Sequence, residues 1–314
     1  MMDQGVAKIK KDKKITWKEI KRQKFLLIVS FFMVVYGIVF YYWPLTGWLM
    51  AFQNYKPKDG LLGSKFVGLA KFQFLFEDVT FLRVIRNTFC MGVLNLVTST
   101  VMAILFAILL NEIRSTIAKK TVQTISYLPH FLSWVVLGGI LTTWLGETGL
   151  LNELLIKFGF LEKGVTFLAY PKYFWGIVIV SDLWKELGWS AIIYLAAISG
   201  IDQEMYEAAR VDGASRWKQI WSITLPSIAS TITIMFILQV GGLLNSNFDQ
   251  ILVLNNPLNN SRSNVIDIYT YTTAMRGMRY SFSTAIGLFK SVIGFGLLFM
   301  ANQITKKLND TSLF

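Results

Sequence analysis

Six stretches of this chain are longer and more apolar than a soluble domain normally tolerates. They run from Phe25 to about Trp48, Thr88 to Leu110, Thr124 to Leu145, Phe174 to Ser199, Ser227 to Leu244 and Ser283 to Thr305. Each has roughly 18–25 residues, enough to cross a ~30 Å hydrocarbon core as a helix. Lipid offers backbone groups no hydrogen-bond partner, so such runs must be helices that satisfy themselves. The predicted fold class is therefore all-α: a polytopic membrane protein with six transmembrane helices. Composition agrees, with 54% hydrophobic and 16% charged residues, against about 25% charged in soluble domains.

Six spans put both termini on one side, and the basic residues say which. Nine of the 31 lysines and arginines fall in residues 1–24. This tail, the 111–123 and 200–226 segments and the C-terminal end hold 17 basic residues. The opposite segments hold 12. The excess predicts N-in/C-in topology, with a basic cytoplasmic tail (1–24) facing anionic lipid and a transmembrane domain over 25–314. No nucleic-acid-binding pattern accompanies the charge, so nucleic acid is not an expected partner. The N-terminus lacks the short apolar core and small-residue cleavage site of a signal peptide.

One cysteine, Cys90, and one histidine, His130, exclude a disulfide framework and a multi-Cys or multi-His metal site. Pro44 is expected to kink or end the first span, and Tyr41, Tyr42, Trp43 and Trp48 to form an interfacial belt. Residues 81–88 read as part of a short surface helix before the second span. Residues 146–172 and the Asn-rich 245–282 read as external segments. Asn245, Asn247, Asp249 and Gln250 are placed there, at an entrance or as solvated loop.

The 200–226 segment is unusual because it is charged and amphipathic between two spans. Ala208, Val211, Ala214 and Ser215 give a small-residue face. Glu207 and Arg210 can pair at i,i+3, with Asp212 also off that face. Gly213 ends the first helix. A second short helix, Arg216 to Ile223, offers Trp217, Ile220 and Trp221 for packing. Pro226 suits the first turn of the next span. Such a helix–turn–helix is either a docking handle for a soluble partner or a solvated loop resting on headgroups.

The spacing Glu207-Ala208-Ala209, then Gly213, then Ile223-Thr-Leu225-Pro226 resembles the signature loop of permease subunits of ATP-binding-cassette importers. Val67-Gly68-Leu69 through Asn87-Thr88 is similar to the external segment of sugar-type permeases. Tyr127-Leu-Pro-His130-Phe-Leu-Ser-Trp134 looks like the third-span signature of their oligosaccharide/polysaccharide subgroup. These matches span most of residues 66–290. The large external insertion of the maltose importer's bigger permease has no counterpart here. The resemblance implies a type I importer subunit in the bacterial cytoplasmic membrane. Its partners would be a second homologous permease chain, two cytoplasmic ATPase subunits and an extracellular solute-binding lipoprotein. The coupling loop, with Glu207, Ala208, Ala209, Arg210, Asp212, Gly213, Ile223, Leu225 and Pro226, would dock on the ATPase. No Gly-x-x-x-x-Gly-Lys-Ser/Thr pattern is present. The chain is thus expected to be no enzyme and to hold no cofactor, with ATP and Mg bound by the partner ATPase.

The fourth span carries Asp182, Lys185 and Glu186 at mid-membrane, where each charge costs roughly 2.5–3.5 kcal/mol on insertion scales. Asp182 and Glu186 share a face at i,i+4. Lys185 is placed to neutralise Asp182, with Lys290 of the sixth span as a second partner. With Trp184 and Trp189 these form a candidate substrate pathway, since sugars need buried hydrogen-bond partners and an aromatic surface. The alternative is an ion pair between helices that touches no solute. The predicted function is import of a sugar, an oligosaccharide by subgroup, through alternating access. An acidic saccharide or peptide-like solute is the next reading. An ion-coupled secondary transporter would call for internal repeats and has no need of the loop.

Overall fold

The fold is described from a computed structural model over residues 21–309; most of the expected basic tail lies outside the described residues. The chain forms two compact units, up to Leu49 and from Met50 onward. Apart from a two-residue antiparallel pairing of β1 (Gln53–Asn54) with β2 (Lys65–Phe66), regular structure among the described residues is helical.

The first unit is built on α1 (Lys24–Gly37). It carries on through a π turn at Ile38–Tyr42 and a 3-10 stretch at Trp43–Phe52. Pro44, expected to kink or end the helix, does not end it but lies where the helical path changes from a π turn to 3-10. The wide turn just before it relieves the clash with the carbonyl four residues back, which a strict α-helix would suffer.

In the second unit, α2 (Ala70–Glu77) leads into α3 (Val79–Glu112), a single 34-residue helix. The predicted surface helix at 81–88 is thus the first part of this long helix and not a separate element. Asp78 starts α3 by accepting from the Thr80 amide at 2.8 Å. Its other oxygen accepts from the Tyr269 hydroxyl at 2.6 Å. Burial pushes the Asp78 carboxyl up, but the bonds from Tyr269 and from the Thr80 and Phe81 amides outweigh it, leaving it below the usual value. Burial, then the bond to Asp78 and its charge, push the Tyr269 phenol well up.

The predicted third span is not one helix. α4 (Thr116–Tyr127) and a 3-10 turn to Phe131 meet α5 (Trp134–Trp144) at 95°. Pro129 weakens the helix there, and the Ser133 hydroxyl caps the new one by accepting from the Val136 amide at 3.3 Å. α6 (Leu150–Lys157) follows, and then α7 (Pro171–Ser199), 29 residues with the charged cluster at its middle. α7 lies along α3 and meets the broken span closely. A Cβ on Gly188 would stand 2.3 Å from the Ser126 carbonyl oxygen, so only glycine allows this approach.

Next come α8 (Gln203–Val211) and α9 (Arg216–Gln219), which runs through a second π turn, Ile220–Thr224, to Ser227. α10 (Ala229–Gly241) leaves that run at 61°. Pro226 accordingly sits inside the preceding helical run, two residues past a π turn, rather than at the start of the fifth span. α11 (Phe248–Leu254), α12 (Ile266–Met275) and α13 (Tyr280–Asn309) complete the fold. The Asn-rich segment is thus mostly ordered structure. Asn247 caps α11, and Asn87 of α3 donates to the carbonyls of Ser261 and Asn264. Gln250 is buried and donates to Val178 O and Ser181 Oγ.

Three helices are long and apolar enough to cross a membrane alone, and five segments qualify if each bent pair is one span. α7 falls outside that count, with Lys172, Asp182, Lys185 and Glu186 along its length. Packing concentrates in three clusters. One joins α3 and α7 to the loop through Tyr194, Ile198, Ile223 and Ile228. A second joins α7, α11 and α12, and a third joins α2, α3, α12 and α13.

Candidate functional sites: the 200–226 loop and the α7 cluster

The loop is held by backbone chemistry. The Asp202 side chain caps α8 through the Glu204 amide at 3.0 Å. At the other end Gly213 adopts φ +73°. Its amide donates to Arg210 O at 3.1 Å, and the Ala214 amide donates to Ala209 O at 2.8 Å. These paired bonds satisfy carbonyls that the helix end would orphan, and they require a left-handed residue at 213. Ser215 restarts the helix by accepting from the Lys218 amide.

The nine loop residues divide by direction. Ala209, Ile223 and Leu225 pack inward on the α3–α7 cluster, and Tyr206 OH bonds Thr224 Oγ1 at 2.9 Å. Glu207, Ala208, Arg210, Asp212, Gly213 and Pro226 stay exposed. Val211 on the same helix is 88% exposed. Glu207 and Arg210 approach only to 3.9 Å with both side chains in solvent, so the pair adds little stability. Their charges remain available to a partner. Trp217 and Trp221 do not pack as the sequence predicts; both are exposed, and only Ile220 of that trio turns inward. Arg216 ties the loop to α3 through Glu112 at 2.5 Å.

The α7 cluster is held by side chains. Lys185, almost completely buried, donates to Glu186 Oε1 and to the His130 carbonyl, both at 2.7 Å. The other Glu186 oxygen meets His130 Nδ1 at 2.6 Å. The His130 ring stacks on Trp189 at 4.3 Å and 1°, and Lys185 also lies over the Trp134 ring. These contacts gather at the break between α4 and α5. The His130 carbonyl belongs to the last turn before that break, and a cation from another helix serves it.

The expected pairing is therefore redistributed. Lys185 bonds Glu186 rather than Asp182. Asp182 is buried and accepts from Asn95 Nδ2 at 3.2 Å. Lys290 pairs with Asp267, whose other oxygen accepts from the Ser246 amide and hydroxyl. Trp184 points away from the cluster into an apolar cavity of about 480 Å³ between α5 and α7. Asn95, Asp267 and Ser246 were missed because each lies far in sequence from its partner. His130 carried a signal: a lone histidine beside a proline in an apolar run. Among the described residues no group of three or more His, Cys, Asp or Glu side chains could hold a metal ion.

Long apolar helices, two bent pairs and a capped surface loop make up a polytopic helical protein with segments able to cross a membrane. Residues 99–310 match the family described as the binding-protein-dependent transport system inner membrane component, and the chain belongs to that family. It is 40% identical over its whole length to the polygalacturonan/rhamnogalacturonan transport system permease protein YteP of Bacillus subtilis, covering 97% of that protein. It is 38% identical to the Bacillus subtilis protein LplB over 96% of this chain and 95% of LplB. Among solved structures it resembles a chain of a bacterial alginate ABC transporter in complex with an alginate pentasaccharide-bound periplasmic protein. The identity is 36% and the TM-score 0.86, over 95% of this chain and 99% of that one. Members of the family are transport components, not enzymes.

Proposed function

We propose that this chain is the transmembrane subunit of an ATP-driven, binding-protein-dependent importer of oligosaccharides in a bacterial cytoplasmic membrane. It forms the pathway with a second permease chain and works by alternating access. In this reading α1, α3, the end of α4 with α5, α7, α10 and α13 are the six spans, with both ends and the 200–226 loop in the cytoplasm. Two ATPase subunits bind ATP and Mg, and an external solute-binding lipoprotein delivers the sugar.

The observation that carries the reading is the 200–226 loop. Its backbone is fixed by three caps and an interior anchor, while Ala208 and Val211 face outward and Glu207 keeps only its loose, solvent-exposed pairing with Arg210. A pre-organised face loses little conformational freedom on docking. The small Ala208 allows close approach and the charges set register. ATP-driven closure of the ATPase pair then shifts the spans by the loop's difference in affinity for their two states.

Asp182, Lys185, Glu186, Trp189 and Lys290 remain the candidate pathway residues, with Trp184 on a separate apolar surface. An acidic oligosaccharide is the second reading, favoured by the polygalacturonan and alginate systems named for the relatives. The test is uptake of labelled neutral and uronic oligosaccharides by the reconstituted complex, with and without ATP and binding protein. Uptake that ignores ATP would overturn the importer assignment. In the same assay Glu207→Lys is expected to abolish uptake and co-purification of the ATPase.

A further inference from the structure

A cavity of about 310 Å³ opens between the end of β1, α2 and the turn that joins α12 to α13. Lys71 and Arg279 line it together with Asn54, Tyr55 and Tyr280, and no described acidic residue does. Lys71 donates to Asn54 Oδ1 at 3.1 Å and has no ion pair among the described residues. Arg279 lies over the Phe282 ring at 4.4 Å, and its guanidinium has no hydrogen bond or ion pair among the described residues. A guanidinium covered on its face keeps its N–H edge free for a planar, two-oxygen partner. Glu77 and Asp78 line an adjoining cavity that shares Phe74, Arg279 and Phe282, and Asp78 is already bonded to Thr80 and Tyr269.

The walls are tied down. The Ser281 hydroxyl accepts from the Tyr55 amide at 2.9 Å, and the Tyr55 and Tyr280 rings pack edge to face at 6.1 Å. Neither tyrosine hydroxyl is hydrogen-bonded among the described residues. Met278, beside Arg279, adopts φ +50°, the one positive φ outside glycine among the described residues. Such a conformation costs of order 1 kcal/mol and gathers at ligand clamps. Here it delivers Arg279, whose amide is anchored on Thr273 O at 3.1 Å. Placed polar groups between aromatic walls are the make-up of small-ligand sites. The location is fixed by α3. Its far end meets the 200–226 loop where Glu112 pairs with Arg216, and its near end follows α2 directly. Its 34 residues span about 51 Å, more than the ~30 Å hydrocarbon core. With the loop in the cytoplasm, this cavity faces outside, where the solute arrives.

We propose that this cavity is an outer receiving site for one uronic acid residue of an acidic oligosaccharide. Lys71 and Arg279 hold its carboxylate, and the Tyr55 and Tyr280 hydroxyls meet the sugar hydroxyls. The site rests on the acidic-oligosaccharide reading and the topology proposed above.

The test uses the full permease–ATPase complex in lipid nanodiscs, without binding protein, titrated calorimetrically with trigalacturonate or its methyl ester. Trigalacturonate should bind, and the uncharged ester should bind about tenfold more weakly or worse. Lys71→Gln and Arg279→Gln should each weaken trigalacturonate about tenfold, the loss of one charge-assisted bond. Lys71→Arg should keep most of the affinity, and melting curves show that the variants are folded. In uptake driven by ATP and binding protein, both Gln variants should raise KM for trigalacturonate. Equal binding of acid and ester, or affinity and KM unchanged in the double variant, overturns the proposal. So does loss of binding-protein association with saccharide affinity unchanged, because the basic pair would then meet a protein carboxylate. Wild-type uptake of neutral oligosaccharides but not of trigalacturonate would instead overturn the acidic-oligosaccharide reading, and the site with it.

Discussion

The loop and the α7 cluster are both polar islands in an apolar chain, but they are stabilised in opposite ways. The loop uses backbone hydrogen bonds closed by Asp202, Gly213 and Ser215, and its charged side chains stay in water. The cluster uses charged side chains to close a break in another helix, with Lys185 buried and Glu186 and His130 each 28% exposed. A charge on the loop can therefore change at little cost to the fold and, if the loop docks as proposed, at full cost to recognition. In the cluster the same change costs the fold first.

The contrast can be broken most directly at Lys185. Lys185→Met leaves Glu186 and the His130 carbonyl without their cation, and removing one partner of a buried pair costs about 3–5 kcal/mol. A large drop in melting temperature is expected, with part of it recovered by the added change Glu186→Gln. An unchanged melt would mean that the cluster is open to water and poised for solute. Next in size is Gly213→Val. A β-branched residue at φ +73° costs of order 1–3 kcal/mol and should lower both stability and ATPase association, while Gly213→Asn should be milder.

Tyr269→Phe removes a hydroxyl from Asp78 and should cost about 1 kcal/mol. It should also flatten an acid dependence. The Asp78 carboxyl lies lower in the folded chain than its ordinary value of 3.8, so its contribution is complete above that value and lost as pH falls through the folded one. Melts at decreasing pH should show less acid destabilisation in the variant. The smallest effect on folding belongs to Glu207→Ala, within about 0.5 kcal/mol in the melt, as for a surface side chain with a weak ion pair. If that variant instead unfolds the chain, the loop is not the self-supporting element described above.

The helix ends were legible where a single residue type fixes them. Gly213 announces the loop's turn, and the apolar runs place the helices, whereas the caps at Asp202 and Ser215 were not read, Ser215 having been assigned to the small-residue face. Breaks inside an apolar run were not, because hydropathy averages over a window and does not see a 95° bend. Pro129 and Ser133 were visible but read as tolerated within a span. The sequence spacing suggested that Lys185 serves Asp182, three residues away on the same helix. The broken helix, 55 residues earlier, offered a carbonyl in greater need. Trp184 was grouped with the carboxylates by proximity along the chain, although its position on the helix turns it to the opposite side. Trp217 and Trp221 were assigned to packing because large aromatics usually bury. Both are instead exposed on the loop.

The bond from Lys185 to the His130 carbonyl also restricts which parts can move independently. It is a cap lent by one helix to the severed end of another, in surroundings with little water to take its place. If α7 slid one turn along the broken span, it would strand a cation, a carboxylate and a carbonyl together. The low-cost motion keeps α4, the break, α5 and α7 travelling as one rigid block. Bending during a transport cycle would then have to fall elsewhere, and the 61° bend between α9 and α10, beside a π turn and a proline, is the one that adjoins the loop.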